Sequence, residues 1–418
     1  MYENQKEIDR AILVGAHRDL RDALTDTTEE SMHELAELAE TAGAVVLGEI
    51  VQNRDAVDKA TYIGEGKLLE VREMAENLEA NLLIFDDELS GSQLRNIENI
   101  TGCHVIDRSA LILDIFAGRA LSGEGKLQVE LAQLKYSLPR LTGGYASLSR
   151  QGGGIGTRGP GETKLESDRR HIRSRIGALE KEIEELSRHR ELLRARRRKN
   201  EVPTAALVGY TNAGKSSLLN ALTDAGVLAE NMLFATLDPT VRALVMEDGR
   251  ESLLIDTVGF IRKLPHHLIE AFKSTLEEAV TADVLLHVID ASNPEMENQI
   301  SVVESLLLSL GCEDKPIISV YNKCDIAGFT PRPAHPQKSV YISAKTGEGL
   351  SELMQMLDDL LPGKRRRMDL LIPYTDGGAL HILRTDGELL SEEYTPDGIA
   401  VTCMADAALF AAFQKYLR

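Results

Sequence analysis

One octapeptide constrains the fold of this chain more than any other feature. Gly209, Tyr210, Thr211, Asn212, Ala213, Gly214, Lys215 and Ser216 read G-x-x-x-x-G-K-S. They follow the apolar run Ala205 to Val208 and precede a helical pattern through Leu218, Leu219 and Leu222. Strand, glycine loop and helix in that order turn backbone N–H groups inward at a helix start whose dipole favours anions. Lys215 would reach the β and γ phosphates of a nucleoside triphosphate, and the Ser216 hydroxyl would ligate Mg²⁺. A chance glycine turn is the plain alternative, and the G-K-S ending between strand and helix speaks against it.

The phosphate loop does not choose between adenine and guanine. Asn322, Lys323, Cys324 and Asp325, after the apolar strand Ile317 to Tyr321, do. A carboxylate accepts both hydrogen bonds that guanine N1–H and N2–H₂ offer, whereas adenine offers no such pair. Asp325 is therefore the expected base selector, Asn322 the tie to the phosphate loop, and the Lys323 stem the cover on the ring. Ser343, Ala344 and Lys345 follow the strand Ser339 to Ile342, where backbone N–H groups meet guanine O6. Between these parts, the strand Leu253 to Ile255 ends at Asp256, Thr257, Val258 and Gly259. Asp256 would hold Mg²⁺ through water, and the Gly259 N–H would bond the γ phosphate.

A threonine must close over the metal, and Phe234, Ala235, Thr236, Leu237, Asp238, Pro239 and Thr240 supply two candidates. Thr236 is the choice because it leaves 20 residues before Asp256, room for two strands and a turn at Asp248 and Gly249. Thr240 is the runner-up. The expected site thus runs from Gly209 to Lys345, with GTP as its substrate, hydrolysis as its activity, and Lys215, Thr236, Gly259 and Asn212 as its catalytic groups.

At 418 residues the chain exceeds one ordinary core, so several domains are expected. Residues 1–141 read as an α/β unit with a trailing helix, because the apolar runs Ala11 to Gly15, Ala44 to Val51 and Asn81 to Phe85 alternate with the helical patterns Glu29 to Ala42 and Lys67 to Ala80. Gly125 to Ser137 is the trailing helix, and 142–163 is a Gly-rich loop. Residues 164–200 form a long basic helix with Ile172, Leu179, Leu186 and Leu193 seven apart and Ile176 and Ile183 in the second seam position. The nucleotide-binding domain spans 201–363, and 364–418 read as a small βαββα appendage. The fold class is α/β: a mostly parallel sheet with flanking helices around the phosphate loop, an N-terminal α/β domain, a coiled-coil-like linker and an α+β C-terminal domain.

The net charge of −19 argues against a nucleic-acid partner on average. Locally it reverses, since residues 161–200 hold 13 Lys plus Arg against 8 Asp plus Glu, and Lys364 to Arg367 add a second basic run. No apolar run approaches the roughly 18 residues of a membrane span, the amino terminus lacks a signal pattern, and Cys103, Cys312, Cys324 and Cys403 lack metal or disulfide spacing. A reduced, cytoplasmic monomer is expected.

F-A-T-L-D-P-T at 234–240 and D-T-V-G-F at 256–260 resemble the HflX family of translation-factor-related GTPases, relatives of Obg and Era. The run Gly156 to Glu166 (G-T-R-G-P-G-E-T-K-L-E), continuing to Asp168, Arg169 and Arg170, looks like that family's hallmark segment. The resemblance implies binding to the large (50S) ribosomal subunit and a role in splitting stalled or idle ribosomes or in ribosome biogenesis. It also implies contact with ribosomal RNA through the Gly-rich loop and the basic helix, using Arg150, Arg158, Arg169, Arg170, Arg173 and Arg175. A solvated helix face beside a loop is the plain alternative.

Phe260 stands where Ras-like enzymes carry a water-orienting Gln, so slow hydrolysis that the ribosome stimulates is expected. Asn212 resembles the position through which some relatives recruit K⁺, and a polar loop residue is an equal reading. His266 and His267 read as loop histidines rather than a metal pair, and Tyr62 to Lys67 (Y-I-G-E-G-K) as a strand-to-helix turn rather than a second nucleotide site. A binding module with incidental turnover, and less so a metabolic ATPase, are the competing functions.

Overall fold

The fold was analysed in a computed structural model, which describes residues 8–17, 28–53, 56–141, 160–199, 202–223, 233–234, 239–246, 248–264, 268, 273–326, 338–363, 366–405 and 407–417. Strands β1 (Arg10–His17), β2 (Val45–Asn53), β3 (Leu82–Phe85) and β4 (His104–Asp107) form a parallel sheet in the order β2-β1-β3-β4. Helices α1 (Thr28–Thr41), α2 (Glu65–Leu78), α3 (Gly91–Thr101) and α4 (Arg108–Arg119) cover it. All four residues of β3 are buried, as a strand covered on both faces requires. Helix α1 turns Met32, Leu35, Leu38 and Ala39 inward at helical spacing. A Ser90–Gln93 capping box starts α3, and the Asp107 carboxylate accepts from the Ala110 N–H to start α4. The sequence reading has no counterpart for β4, α3 and α4.

Helices α5 (Gly123–Arg140) and α6 (Pro160–Lys199) lie against each other. Ion pairs Arg190–Glu124 at 2.8 Å and Lys135–Glu180 at 3.0 Å join residues in opposite chain order, so the hairpin is antiparallel. Two boundaries differ from expectation. Leu138 to Arg140 continue α5 past the expected end at Ser137, with Pro139 in the last turn. Helix α6 starts at Pro160, four residues earlier than read, because Pro suits a first helical turn whose N–H needs no helical partner. The rest of the Gly-rich loop, with Arg150 and Arg158, lies outside the described residues. Leu179 is fully buried in the hairpin seam, while Leu186 is 37% exposed, so the heptad is only partly covered.

The second sheet has six strands: β5 (Thr204–Gly209), β6 (Thr240–Val245), β7 (Glu251–Asp256), β8 (Val284–Asp290), β9 (Ile317–Asn322) and β10 (Ser339–Tyr341). Their order is β10-β9-β8-β5-β7-β6, and all pairs are parallel except β6 with β7. The turn between those two holds Asp248 and Gly249, as expected. Flanking helices are α7 (Lys215–Thr223), α8 (Lys273–Thr281), α9 (Met296–Ser309) and α10 (Leu350–Leu360). β5 sits in the middle, so the carboxyl ends of β5, β7 and β9 deliver Gly209, Asp256 and Asn322 to one edge.

A third, antiparallel sheet follows in the order β11-β13-β12, from β11 (Arg366–Ile372), β12 (Glu388–Thr395) and β13 (Gly398–Ala405), with helices α11 (Gly377–Asp386) and α12 (Ala407–Phe413). This is the expected βαββα order. Arg366 and Arg367 already belong to β11, so the second basic run is partly a strand rather than a linker.

One apolar cluster crosses from the first sheet to the second. It joins Leu13, Met32, Leu35 and Phe116 to Leu233, Phe234, Phe260, Ile261 and Leu276. The rings of Phe116 and Phe234 meet edge to face with centroids 4.6 Å apart.

Candidate nucleotide site

The phosphate loop has the backbone its glycines require. Gly209 lies at φ 153°, and a Cβ there would come within 2.2 Å of the Val288 carbonyl oxygen. Gly214 lies at φ 94°, with its Cβ position 2.2 Å from Asn322 Nδ2. No other residue fits either place.

Lys215 is buried under this loop. Its Nζ donates to the carbonyl oxygens of Tyr210 at 2.7 Å and Gly209 at 3.1 Å. Burial pulls its pKa down to about 8, and Asp256 only partly opposes that. Beside it on β8, His287 is held neutral, its pKa lowered to about 4 by burial and then by the Lys215 charge.

Asp256 is fully buried at the end of β7, and the Ser216 hydroxyl donates to its Oδ2 at 2.7 Å. An alcohol oxygen beside a buried carboxylate is a hard-oxygen donor pair, which suits Mg²⁺. Thr257 donates its hydroxyl to the Leu207 carbonyl at 2.6 Å and locks β7 to β5. Val258 and Gly259 are buried next, and a Cβ on Gly259 would meet Thr211 Cα at 2.9 Å and Lys215 Nζ at 3.0 Å. Phe260 then bridges back to the phosphate loop. Its N–H donates to the Gly209 carbonyl at 3.1 Å, and its carbonyl accepts from the Thr211 N–H at 2.8 Å.

The base loop is built independently. Asn322 Nδ2 donates to the Ala213 carbonyl at 2.9 Å, and its Oδ1 accepts from the Ala344 N–H at 3.0 Å. One side chain therefore joins the phosphate loop to the Ser343–Lys345 segment. The buried Ser343 hydroxyl donates to Asp325 Oδ1 at 2.7 Å, orienting a carboxylate that is itself exposed. Lys323, at φ 65°, pairs with Asp290 at 2.7 Å, which pulls its stem across the loop. Cys324 donates its thiol to the Tyr321 carbonyl at 3.2 Å, and Lys345 is exposed.

The sequence reading did not contain the seam between the first sheet and this site. The Tyr210 hydroxyl donates to Glu34 and accepts from the Arg262 N–H at 2.9 Å. Arg262 pairs with Glu30 at 2.9 Å and Glu295 at 3.5 Å, while Lys263 pairs with Asp86 and, at 3.0 Å, with Asp87. The carboxylates Asp86 and Asp87 outweigh burial and raise the Lys263 pKa. Behind them the buried Arg108 pairs with Asp86 at 2.7 Å and with Glu34. These contacts span up to 232 residues of chain, and no local pattern announces them. A cavity of about 410 Å³ lies between α1 and the phosphate loop, lined in part by Glu30, Glu34, Thr211, Asn212 and Arg262.

Of the residues expected at the site, the structure brings together Gly209 to Ser216, Asp256 to Gly259, Asn322 to Asp325 and Ser343 to Lys345. Asn212 lies at φ 60° on the cavity side. Phe234 is buried edge-on against Phe116, its ring committed to the apolar seam. Ala235, Thr236, Leu237 and Asp238 lie outside the described residues, as do His266 and His267. Thr240, the runner-up, starts β6. Arg175 is bidentate with Glu130 at 2.7 and 2.8 Å, so one arginine assigned to RNA is held by α5. Tyr62 to Lys67 is a turn into α2, as read.

Strand, phosphate loop and the Asp325 carboxylate share one sheet edge here, the arrangement expected of a P-loop enzyme that binds and hydrolyses GTP. Sequence relatives agree. Residues 29–117 match the family model for the GTP-binding GTPase N-terminal region, 119–197 that for its middle region, and 204–323 that for the 50S ribosome-binding GTPase. The GTPase HflX of Lacrimispora saccharolytica is 53% identical over 411 residues, 97% of this chain and 96% of that protein. The GTPase HflX of Escherichia coli K12 is 45% identical over 357 residues, 84% of each. A GTP-binding protein from Sulfolobus solfataricus solved in complex with GDP is 27% identical, with a TM-score of 0.44 over 84% of this chain and 98% of that one. The chain belongs to the HflX family of GTPases, and it is a GTPase. Among the described residues no helix is long and apolar enough to cross a membrane.

Proposed function

We propose that this GTPase is a nucleotide-gated factor of the large ribosomal subunit that splits or rescues stalled or idle ribosomes, or acts in their assembly, with slow hydrolysis until the ribosome docks. The observation that carries the reading is the pairing of Phe260 with the phosphate loop. The segment that must respond to a γ phosphate instead occupies the Thr211 N–H, and its side chain is an apolar ring that cannot orient water.

In this reading Lys215 leaves the carbonyls of Gly209 and Tyr210 for the β and γ phosphates. The loop N–H groups cradle the phosphates, and Asp325 reads guanine with its other oxygen held by Ser343. Ser216 and Thr236 would hold Mg²⁺, with Asp256 acting through water, and the ion would supply charge neutralisation at the β and γ phosphates. The Gly259 N–H bonds the γ phosphate, Phe260 releases the Thr211 N–H, and Arg262 and Lys263 transmit that shift to Glu30, Glu34 and Asp86. The exposed Arg170 and Arg173 on α6 and the Gly-rich loop before it supply the contact with ribosomal RNA. A K⁺ ion near Asn212 is the finer part of the reading, and equal hydrolysis in matched KCl and NaCl would discard it.

The family model for residues 204–323 is described as a 50S ribosome-binding GTPase, which supports the partner. Single-turnover hydrolysis with and without large subunits tests the coupling. Stimulation is expected, and an unchanged rate discards a ribosome-ordered switch.

A further inference from the structure

The base loop carries the polar side chains of Asn322, Lys323 and Asp325, and two of these are held from within the nucleotide motifs. Asn322 is fixed by Ala213 and Ala344, and Asp325 by Ser343. Lys323 is held from outside them, by Asp290 at the end of β8, 33 residues earlier in the chain.

The Asp290 carboxylate is itself fixed. Its Oδ1 accepts from the Ser292 N–H at 2.9 Å and from the Ser292 hydroxyl at 2.6 Å, an Asx turn closed on its own strand end. Its Oδ2 accepts from Lys323 Nζ at 2.7 Å. In the sheet Asp290 lies opposite Asn322, and the Ala291 N–H donates to the Asn322 carbonyl at 2.9 Å, so the two strand ends are tied together immediately before Lys323. The side chains of Lys323 and Asp290 are only 24% and 12% exposed, so water screens the pair in part.

A lysine stem is flexible and loses that freedom when it lies flat against a base. Ordering it before the nucleotide arrives removes that cost from binding. The pairing also explains why a carboxylate is tolerated here. Asp290 borders the same cavity as Asn212 of the phosphate loop, where an unpaired negative charge would repel phosphates, and the Lys323 ammonium neutralises it.

We propose that Asp290 is a positioning residue for the guanine nucleotide, holding the Lys323 ammonium so that the stem lies ready across the ring's face and slows nucleotide release. Asp290 acts through Lys323 rather than on the base or the phosphates. The proposal rests on the reading that the Lys323 stem covers guanine. The ring's face is common to guanine and hypoxanthine, whereas Asp325 reads the edge on which the two differ. Losing Asp290 therefore weakens both bases alike.

The test is the affinity and release rate of GDP and of inosine diphosphate, measured by titration calorimetry and stopped flow on the full chain carrying Asp290→Asn, Lys323→Ala or both. Asp290→Asn keeps the side chain's shape and should weaken both nucleotides by about threefold to tenfold, through faster release, with the ratio of their affinities unchanged. Lys323→Ala should lose at least as much, and adding Asp290→Asn to it should cause no further loss, because the carboxylate then has nothing to position. Unchanged affinities in Asp290→Asn beside weakened ones in Lys323→Ala would show Asp290 alone to be misassigned. A full further loss in the double variant, the mark of a general disturbance of the loop, would also overturn the proposal, as would a loss confined to GDP, the mark of a displaced Asp325. Unchanged affinities in Lys323→Ala would show instead that the stem does not cover the base, and the proposal would fall with that reading.

Discussion

The Thr211 N–H donates to the Phe260 carbonyl oxygen at 2.8 Å, so a phosphate-loop donor is held by the segment that follows D-T-V-G. Phosphate and Phe260 compete for that N–H, and what pins Phe260 is the seam around it. Its ring is buried in the apolar cluster, and two and three residues on, Arg262 and Lys263 pair with Glu30 on α1 and with Asp86 just after β3.

The seam can be loosened at Lys263, whose side chain is 30% exposed. Lys263→Ala should lower stability by less than about 1 kcal/mol, because partly exposed ion pairs contribute little. It should nonetheless speed the association of a fluorescent GTP analogue severalfold in stopped flow. An unchanged association rate would disconnect the seam from the site. Asp86→Ala is expected to behave otherwise, because Asp86 also pairs with Arg108, which is 2% exposed. Removing one partner of a buried pair should lower the urea unfolding free energy by about 3 kcal/mol.

Guanine selection should fail at one carboxylate. Asp325→Asn is expected to weaken GDP binding by about 3 kcal/mol, about a hundredfold, since it replaces charge-assisted acceptors with an amide. Xanthosine diphosphate should gain what GDP loses, because the Asn amide can donate to the xanthine 2-carbonyl. Ser343→Ala, which removes the 2.7 Å bond to Asp325, should weaken GDP binding by about 1 kcal/mol. Titration calorimetry with both nucleotides measures this, and unchanged GDP affinity in Asp325→Asn would place the base elsewhere.

Gly259→Ala should separate GDP from GTP. Its Cβ would press on Thr211 Cα and Lys215 Nζ, the side on which the proposed γ phosphate would lie. Affinity for a GTP analogue should fall by about 2 kcal/mol, with GDP affinity close to unmodified. Equal losses for both nucleotides would indicate a general distortion of the loop.

The nucleotide site was legible because each part is local: a strand, a few residues and a turn or helix start. The Ser343 segment lies beside Asn322 and Asp325, although its grip on Asp325 was not foreseen. The seam was illegible because Glu34 and Tyr210 are 176 residues apart and neither belongs to a patterned motif. β4 escaped because four residues carry too little alternation to read. Pro160 was taken into the loop for its glycine neighbours, although Pro at a helix start is itself a signal. The RNA-contact role of the basic helix was read from charge and the family resemblance, neither of which could show that Glu130, on another helix, holds Arg175.

His287 makes stability depend on pH. Its pKa is about 4 when folded, against 6.5 as the ordinary value. Between those values the unfolded chain binds a proton that the folded chain refuses, so stability is full above about pH 6.5 and falls as pH drops towards 4. The loss should approach roughly 3 kcal/mol, and His287→Leu should flatten that slope. Urea melts at several pH values measure it, and identical slopes in both proteins would assign the acid sensitivity to other groups.

The central claim is that nucleotide state gates docking to the large ribosomal subunit. Sedimentation of purified large subunits with the full chain, loaded in turn with a non-hydrolysable GTP analogue and with GDP, tests it most directly. Co-sedimentation is predicted with the analogue and its loss with GDP, and binding that is equal in both states, or absent from both, would contradict the account.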